Sequence, residues 1–164
     1  MSVSMRKALL VVDIQNDFLP GGALGVQHGD QVVPVINKVS SRFENIIVTQ
    51  DWHPDDHVSF AQHHPGRQPF ETILLDYGEQ TLWPSHCVQA TRGAELAQDL
   101  DYRRAQLIIR KGHHRMIDSY STFLEADRQT QTGLDGYLRS RGIDHLVIGG
   151  LRPTFVYCGR CLMH

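Results

Sequence analysis

The sequence predicts a three-layer α/β/α fold with a parallel central sheet and Rossmann-like layering. Two observations lead to this prediction. Four short apolar runs, at residues 7–12, 45–49, 105–110 and 145–148, are rich in Leu, Val and Ile, as buried parallel strands are. Longer segments separate these runs, so right-handed crossovers would place helices on both faces of the sheet. At 164 residues the chain fits one domain, residues 1–164, with a substantial core.

The composition is that of an ordinary globular protein, with 41% hydrophobic and 21% charged residues. A formal net charge of −2 gives no indication of a nucleic-acid partner. No apolar stretch approaches the roughly 20 residues that span a bilayer, and the first run is too short for a signal peptide. Three cysteines do not favour a disulfide framework. We therefore expect a cytoplasmic protein with neither a nucleic-acid nor a membrane partner, and the oligomeric state stays open.

The first half of the chain begins with a strand at 7–12 and a Gly-rich loop. A helix is expected over 30–42, where Val and Ile recur at helical spacing, with Asp30 as its N-cap and Pro34 near its first turn. The second strand at 45–49 leads into a stretch from 51 to 89 that is rich in His, Pro and Asp. Loops of that length inside a compact domain are usually functional.

The second half repeats the alternation of helix and strand. Residues 91–100 could form a short helix, and the third strand is expected at 105–110. A helix is expected over 132–141, ending at Gly142, before the fourth strand at 145–148. The chain shows no repeat, no low-complexity tract and no second domain.

Polar side chains suited to catalysis stand where three of the apolar runs end. Asp13 ends the first, Asp51 and His53 the second, and Lys111 the third. Ligands of parallel α/β sheets bind outside the carboxyl ends of the strands, so we expect these residues to meet at one rim. A water-poor crevice would suit Asp13 as a general base, although a turn or capping aspartate is an equal alternative. Lys111 would stabilise an oxyanion or a thiolate, whereas taken alone it would be a surface lysine.

Asp51, His53 and His86 are candidate metal ligands. The spacing of the first two places both side chains on one side of an extended segment, and the motif "WPSHCVQ" supplies the third. Two imidazoles and a carboxylate suit zinc, with iron and manganese as alternatives, and leave open positions. The chain has ten histidines, which weakens any single assignment. We expect five of them to be solvated loop residues, namely His57, His63, His64, His113 and His114.

The cysteines offer two further hypotheses. Cys158 and Cys161 form a C-x-x-C, which can be a redox pair or half of a zinc site. No second pair exists and no helix follows, so neither reading is favoured. Cys87, beside a candidate ligand, is most simply a small buried residue.

Several motifs occur together in a fixed order: "VDIQNDF", "TQDWHP", "TLWPSHCVQ", "IIRKG", "DSYSTF" and "VIGGL". In order and spacing this series resembles the nicotinamidases, which belong to the isochorismatase-like cysteine hydrolases. The match covers residues 7–151. Each motif alone is weak, but the series is specific.

The resemblance implies a role for each candidate residue. Asp13 and Lys111 match two members of the family's Asp–Lys–Cys catalytic triad, and the metal ligands match Asp51, His53 and His86. The aromatic positions that hold the pyridine ring of nicotinamide match Phe18, Trp83 and Tyr120. The implied reaction is hydrolysis of nicotinamide to nicotinate and ammonia in NAD salvage. A thiolate attacks the amide carbonyl and the reaction proceeds through a thioester.

The chain departs from the family after the fourth strand, within residues 152–164. Where the family reads roughly "GLATD(F/Y)CV", this sequence reads "GLRPTFVYCGRC", so Val156 stands at the position of the nucleophile and Cys158 lies two residues late. Reading the codons of residues 153–157 one nucleotide earlier permits Thr-Asp-Phe-Cys-Val, with cysteine at position 156. A one-nucleotide shift near Leu151 is therefore one hypothesis, and an unrelated true tail is the other.

The departure has two expected consequences. The fold would be incomplete at its C-terminal end, so the fourth strand would become an exposed apolar edge that favours aggregation. Acyl transfer would collapse without the thiolate. The alternatives to a nicotinamidase are a non-catalytic remnant that binds metal or nicotinamide, and another isochorismatase-like amidohydrolase.

Overall fold

The central element of the computed structural model, which describes residues 6–151, is a four-stranded parallel sheet. Its strands are β1 (Lys7–Val12), β2 (Asn45–Asp51), β5 (Leu107–Lys111) and β6 (His145–Gly150), in the order β5-β2-β1-β6. A separate antiparallel hairpin consists of β3 (Thr72–Leu75) and β4 (Gly78–Thr81). The expected altered tail, with Val156, Cys158 and Cys161, lies outside the described residues.

Layers of apolar side chains cover both faces of the sheet, as expected for the three-layer fold. On one face, Leu9 and Val11 of β1 pack in a cluster with Val33 and Ile36 of helix α1 (Val32–Ser40). On the other, Leu10 and its neighbours pack with Leu134 and Leu138 of helix α2 (Leu134–Arg141). Successive residues of a strand point to opposite faces, so the all-apolar sequence of β1 supplies both layers.

The predicted elements are largely confirmed, with shifted ends. The first strand matches its prediction, whereas the second continues to Asp51 and the third to Lys111, so these two residues belong to the strands. The fourth strand continues to Gly150. Helix α2 starts two residues late and ends at Arg141, and its C-cap Gly142 has a φ of 62°, the left-handed conformation expected there.

The prediction of Asp30 as a helix cap is wrong. Asp30 lies inside a short 3₁₀ helix (Gly29–Gln31), and Gln31 precedes helix α1 without a side-chain capping bond. The 3₁₀ turn satisfies the first backbone groups in place of a side-chain cap. Pro34 does lie in the first turn, where its missing N–H is tolerated.

The long segment between β2 and β5 is ordered without much regular structure. It contains the β3–β4 hairpin and two 3₁₀ helices, Ala61–His63 and Arg92–Ala94, besides the one at Asn16–Phe18 near the start of the chain. The predicted helix over 91–100 is thus reduced to one short turn. Within residues 6–151, no helix has the length and apolar character needed to cross a membrane.

Strand β6 lies at one edge of the described sheet. It pairs with β1, and Val147 and Ile148 are each 38% exposed. Two glycines at its end allow close approach to neighbours: a Cβ on Gly149 would lie 2.7 Å from the Cδ1 atom of Ile36, and one on Gly150 would lie 2.1 Å from the Val12 carbonyl oxygen. Beyond them, the Leu151 N–H donates to that same carbonyl at 2.9 Å, so the strand ends beside Asp13.

Candidate active site

Three charged side chains from neighbouring strands meet at the carboxyl rim of the sheet. Asp51 and Lys111 are register partners at the ends of β2 and β5, and Asp13 directly follows β1. The Lys111 ammonium donates to Asp13 Oδ2 at 2.8 Å and also to Asp51 Oδ1. All three residues are at most 6% exposed. The convergence expected from the strand ends is therefore present, and Lys111 is buried, which does not fit the alternative of a surface lysine.

The surroundings of Asp13 suit a proton acceptor. Its carboxylate accepts a hydrogen bond from the Thr49 hydroxyl at 2.5 Å, and that hydroxyl accepts the Asp13 backbone N–H at 3.2 Å. Burial raises the pKa of the Asp13 carboxyl, and Lys111 offsets only part of this effect. Burial disfavours the Lys111 ammonium, but Asp13 and Asp51 outweigh it and raise the pKa of Lys111. The lysine therefore stays charged beside a carboxylate that binds protons more readily than usual.

The candidate ligands Asp51, His53 and His86 form a compact buried group. Their ligand atoms all lie within 4.8 Å of one another, and the imidazole centroids of the two histidines are 5.0 Å apart. His53 Nδ1 lies 2.8 Å from the Gly112 carbonyl oxygen, and His86 Nδ1 lies 2.8 Å from that of Pro84. A carbonyl only accepts, so these contacts favour the tautomer with the proton on Nδ1, in which Nε2 is the ligand atom.

Gly112 sets the orientation of His53. It adopts a φ of 63°, and a Cβ there would lie 2.5 Å from Cε1 of the His53 ring. The glycine is thus required both by its backbone conformation and by the close approach of the imidazole. Burial lowers the pKa of His53 to about 3, so its ring is neutral, as a metal ligand must be.

The side chain of Gln15 forms hydrogen bonds with both backbone groups of Asp51, as the backbone of a neighbouring strand would. Its amide donates to the Asp51 carbonyl oxygen at 2.8 Å, and its Oε1 accepts the Asp51 N–H at 2.8 Å. A second bond from Nε2 to the Ala94 carbonyl at 2.9 Å fixes the side chain. No role was assigned to Gln15 from the sequence, although it lies in the motif "VDIQNDF". Its position two residues after Asp13 was the one feature that could have indicated a role.

The three aromatic candidates flank the ligand group. Phe18 is buried, with its ring centroid 5.6 Å from that of His86. The Trp83 indole N–H donates to the Tyr120 hydroxyl at 3.1 Å, which joins these two side chains. Gln80 also donates to that hydroxyl at 2.6 Å and to the Asp118 carboxylate at 2.8 Å. Trp83 and Tyr120 are therefore joined by a partly buried polar network to which Gln80 of hairpin strand β4 contributes.

Sequence reasoning misjudged His57. It was expected to be a solvated loop residue, but it is fully buried, with Nδ1 2.7 Å from the Ser59 hydroxyl and its ring centroid 4.3 Å from that of His53. With His53 and Asp118 it forms a second buried group whose ligand atoms lie within 4.8 Å. The surrounding sequence "HPDDHVS" is polar, so nothing local indicated burial. His63, His113 and His114 are exposed as expected, whereas His64 is half-buried.

Cys87 is buried in the core cluster, as expected. Burial, together with the nearby Asp51 carboxylate, raises the pKa of its thiol. A thiol in that state is a poor nucleophile, so Cys87 is not a candidate nucleophile.

Comparisons with known proteins agree with this geometry. A family model described as "Isochorismatase domain" matches residues 7–152. A nicotinamidase of Acinetobacter baylyi is 60% identical over 148 residues, which is 90% of this chain and 69% of that protein.

Solved structures give the same result. A nicotinamidase/pyrazinamidase structure from Acinetobacter baumanii superposes with a TM-score of 0.86 at 58% identity, covering 90% of this chain and 71% of that one. The yeast nicotinamidase bound to the inhibitor nicotinaldehyde gives a TM-score of 0.81 at 32% identity, covering 88% and 74%. A zinc-bound pyrazinamidase of Pyrococcus horikoshii gives 0.68 at 35% identity, covering 89% and 70%.

Proposed function

This chain belongs to the isochorismatase domain family, and from that membership we propose that its site is built to hydrolyse nicotinamide to nicotinate and ammonia. We propose further that the 164-residue chain keeps the binding half of this activity and lacks the nucleophile. We also propose that this nicotinamidase activity belongs to NAD salvage in the cytoplasm.

The buried contact between Lys111 and Asp13 is the observation that carries this proposal. A buried ammonium 2.8 Å from a carboxylate of raised pKa is the kind of charged pair that is concentrated at functional sites. In the proposed reaction Asp13 takes the proton of the attacking thiol and delivers it to the departing ammonia. Lys111 favours the thiolate over the thiol, because a nearby positive charge stabilises the anion.

The donor set of Asp51, His53 and His86 fits a divalent metal. Both histidines present an Nε2 lone pair, and the Asp51 oxygen that Lys111 does not contact remains available. Zinc is the metal we propose, because two imidazoles and one carboxylate are a common zinc set and a similar pyrazinamidase is zinc-bound. When bound, the metal would supply a Lewis-acid contact for the ring nitrogen of the substrate.

Phe18, Trp83 and Tyr120 would hold the pyridine ring. Flat aromatic walls suit a flat heteroaromatic ligand, and a similar enzyme binds nicotinaldehyde, which shares that ring. Fixing Tyr120 through Gln80 and Trp83 would lower the entropic cost of ordering the pocket when the ligand binds.

Amide hydrolysis also requires a nucleophile, and position 156 is valine. Removing the nucleophile of a covalent hydrolase lowers the rate by a factor on the order of 10⁶. We therefore propose that this chain releases no measurable ammonia from nicotinamide. The proposed cause is a one-nucleotide shift near Leu151 that replaced the residues carrying the thiol.

The test compares the 164-residue protein with a chain whose reading frame is restored after Leu151. The restored chain should release ammonia from nicotinamide, and the 164-residue protein should not. The matched control is the restored chain with alanine in place of cysteine at position 156, which should be equally inactive. Calorimetric titration should detect zinc binding by all three proteins and nicotinamide binding by the two inactive ones.

Each part of the proposal can fail separately. Ammonia release by the 164-residue protein would refute the loss of activity. Lack of zinc and nicotinamide binding by this protein would refute the retained binding site. A coding sequence that cannot read Thr-Asp-Phe-Cys-Val in the shifted frame would refute the proposed cause.

A further inference from the structure

We propose that Asp17 is a positioning residue for the candidate metal ligands and acts on them through the backbone of Cys87. This inference deepens the proposed function and rests on it. Within residues 6–151, the Asp17 side chain forms no hydrogen bond or ion pair with the side chains of Asp51, His53 or His86. Its carboxylate instead accepts the Cys87 backbone N–H at 2.7 Å through Oδ2 and the Ala23 N–H at 3.3 Å through Oδ1.

Cys87 stands at the junction of two candidate ligands. It directly follows His86, and its carbonyl oxygen accepts the His53 backbone N–H at 3.0 Å. The His53 carbonyl in turn accepts the Gln89 N–H at 2.8 Å, so the segment around Cys87 pairs with His53 as a short parallel bridge. A displacement of the Cys87 backbone would therefore move both histidines relative to Asp51.

The backbone of Cys87 needs an external restraint. Its φ is 46°, a strained conformation that residues other than glycine rarely adopt. The N–H that Asp17 accepts belongs to the peptide plane between His86 and Cys87, so its direction fixes ψ of His86 and φ of Cys87 together. Without an acceptor, this plane could rotate toward an ordinary conformation and change the direction of the His86 side chain.

Gly93 provides an independent sign that the Asp17 carboxylate is seated tightly. A Cβ on Gly93 would lie 2.1 Å from Asp17 Oδ2, the oxygen that accepts the Cys87 N–H. Gly93 has no positive φ, so the close approach is what requires glycine here. The turn that contains Gly93 is itself fixed, because the side chain of Asn16 donates to the Arg92 carbonyl at 2.7 Å and that of Gln15 to the Ala94 carbonyl at 2.9 Å.

The same residue also connects the ligand group to the aromatic wall. Phe18, whose ring faces His86, directly follows Asp17. The Asp17 backbone carbonyl accepts the Leu24 N–H at 2.9 Å, which ties the Gly-rich loop to the same point. Asp17 therefore fixes the relative placement of Phe18 and His86, and through them of the pyridine site and the metal site.

The test measures zinc affinity by competition with a chelator, on the purified 164-residue protein and its variants. Asp17→Ala should weaken zinc binding 10- to 100-fold, the usual effect of losing a group that orients a ligand. Asp17→Asn keeps an oxygen acceptor for the Cys87 N–H and should stay within about threefold of the parent, on the same reasoning. Asp30→Ala, which removes an exposed carboxylate from the same region, is the control and should change nothing.

Gly93→Ala supplies a second, independent variant. It leaves the Asp17 side chain in place but displaces its carboxylate, so it should weaken zinc binding as Asp17→Ala does. The double variant should be no weaker than the single ones, because both changes remove the same restraint. Gly136→Ala is the matched control, because a Cβ there meets nothing within 4 Å.

The outcomes separate this inference from the proposed function. Zinc binding by the parent with unchanged affinity in Asp17→Ala and Gly93→Ala would overturn the positioning role alone. Loss of thermal stability in those variants without loss of zinc affinity would also overturn it, because a purely structural role gives that result. A parent protein that binds no zinc would overturn both the proposed metal site and this inference.

Discussion

The two sides of the described sheet rim differ in how firmly their residues are held. On the side of β1, β2 and β5, Asp13, Asp51 and Lys111 are nearly fully buried and bonded to one another. On the side of β6, Val147 and Ile148 are each 38% exposed, and within residues 6–151 the strand pairs with β1 alone. The buried contacts among Asp13, Asp51 and Lys111 thus involve only residues within 6–151, whereas the nucleophile of the proposed reaction would belong after Leu151.

The largest expected effect comes from the charged contact on the firmly held side. Lys111→Met would leave the Asp13 and Asp51 carboxylates buried without their cation, which typically costs about 3–5 kcal/mol of unfolding free energy. Urea unfolding followed by circular dichroism measures this change. Arg103→Met, which removes an exposed partner of Asp101, is the control and should be neutral within error. If Lys111→Met lowers the free energy of unfolding by less than about 1 kcal/mol, the contacts of Lys111 with the two carboxylates do not stabilise this side of the rim.

An intermediate effect is expected at Gly112, where the rim meets the ligand group. Gly112→Ala places a strained residue at positive φ, costing of order 1–3 kcal/mol, and also displaces the His53 ring. Zinc affinity, measured by chelator competition, should fall by at least about tenfold. Gly133→Ala is the matched control, because its φ is 92° and a Cβ there meets nothing within 4 Å. Equal zinc affinities for the two variants would show that the ring contact is unimportant.

The smallest effect on stability is expected at the exposed edge. Val147→Lys should change the unfolding free energy by no more than about 0.5 kcal/mol, because the side chain is partly solvated. It should nevertheless raise the concentration at which light scattering detects aggregates, since an edge lysine blocks strand pairing. Val35→Lys on α1 adds the same charge at a position 56% exposed and away from the edge. If Val147→Lys and Val35→Lys raise the aggregation concentration equally, the added charge alone explains the improvement.

The sequence was sufficient to predict the parallel strands and the meeting of the polar residues at their carboxyl ends. Runs of Leu, Val and Ile locate buried strands, and parallel pairing brings their carboxyl ends together, so the contact between Asp13 and Lys111 followed from pattern alone. The roles of these residues, and of Phe18, Trp83 and Tyr120, stay predictions that the experiments above would test.

What the sequence could not give depends on contacts between distant loops. The β3–β4 hairpin lacks apolar alternation, and Leu74 in it is 80% exposed, so no periodic signal marked it. His57 is buried by neighbours such as Phe60 and His53, which only the fold brings around it. Asp30 carries the chemistry of a helix cap, but it lies inside the 3₁₀ turn that precedes helix α1.

The shared ammonium of Lys111 has a consequence for electroneutrality. Two buried carboxylates, Asp13 and Asp51, contact this one cation, so the fully ionised trio carries one surplus negative charge. Such a charge away from water is costly until a proton or a cation compensates it. A divalent ion held by Asp51 would do so, and ion occupancy should therefore act as a stabilising counter-charge whose removal by chelators lowers the melting temperature.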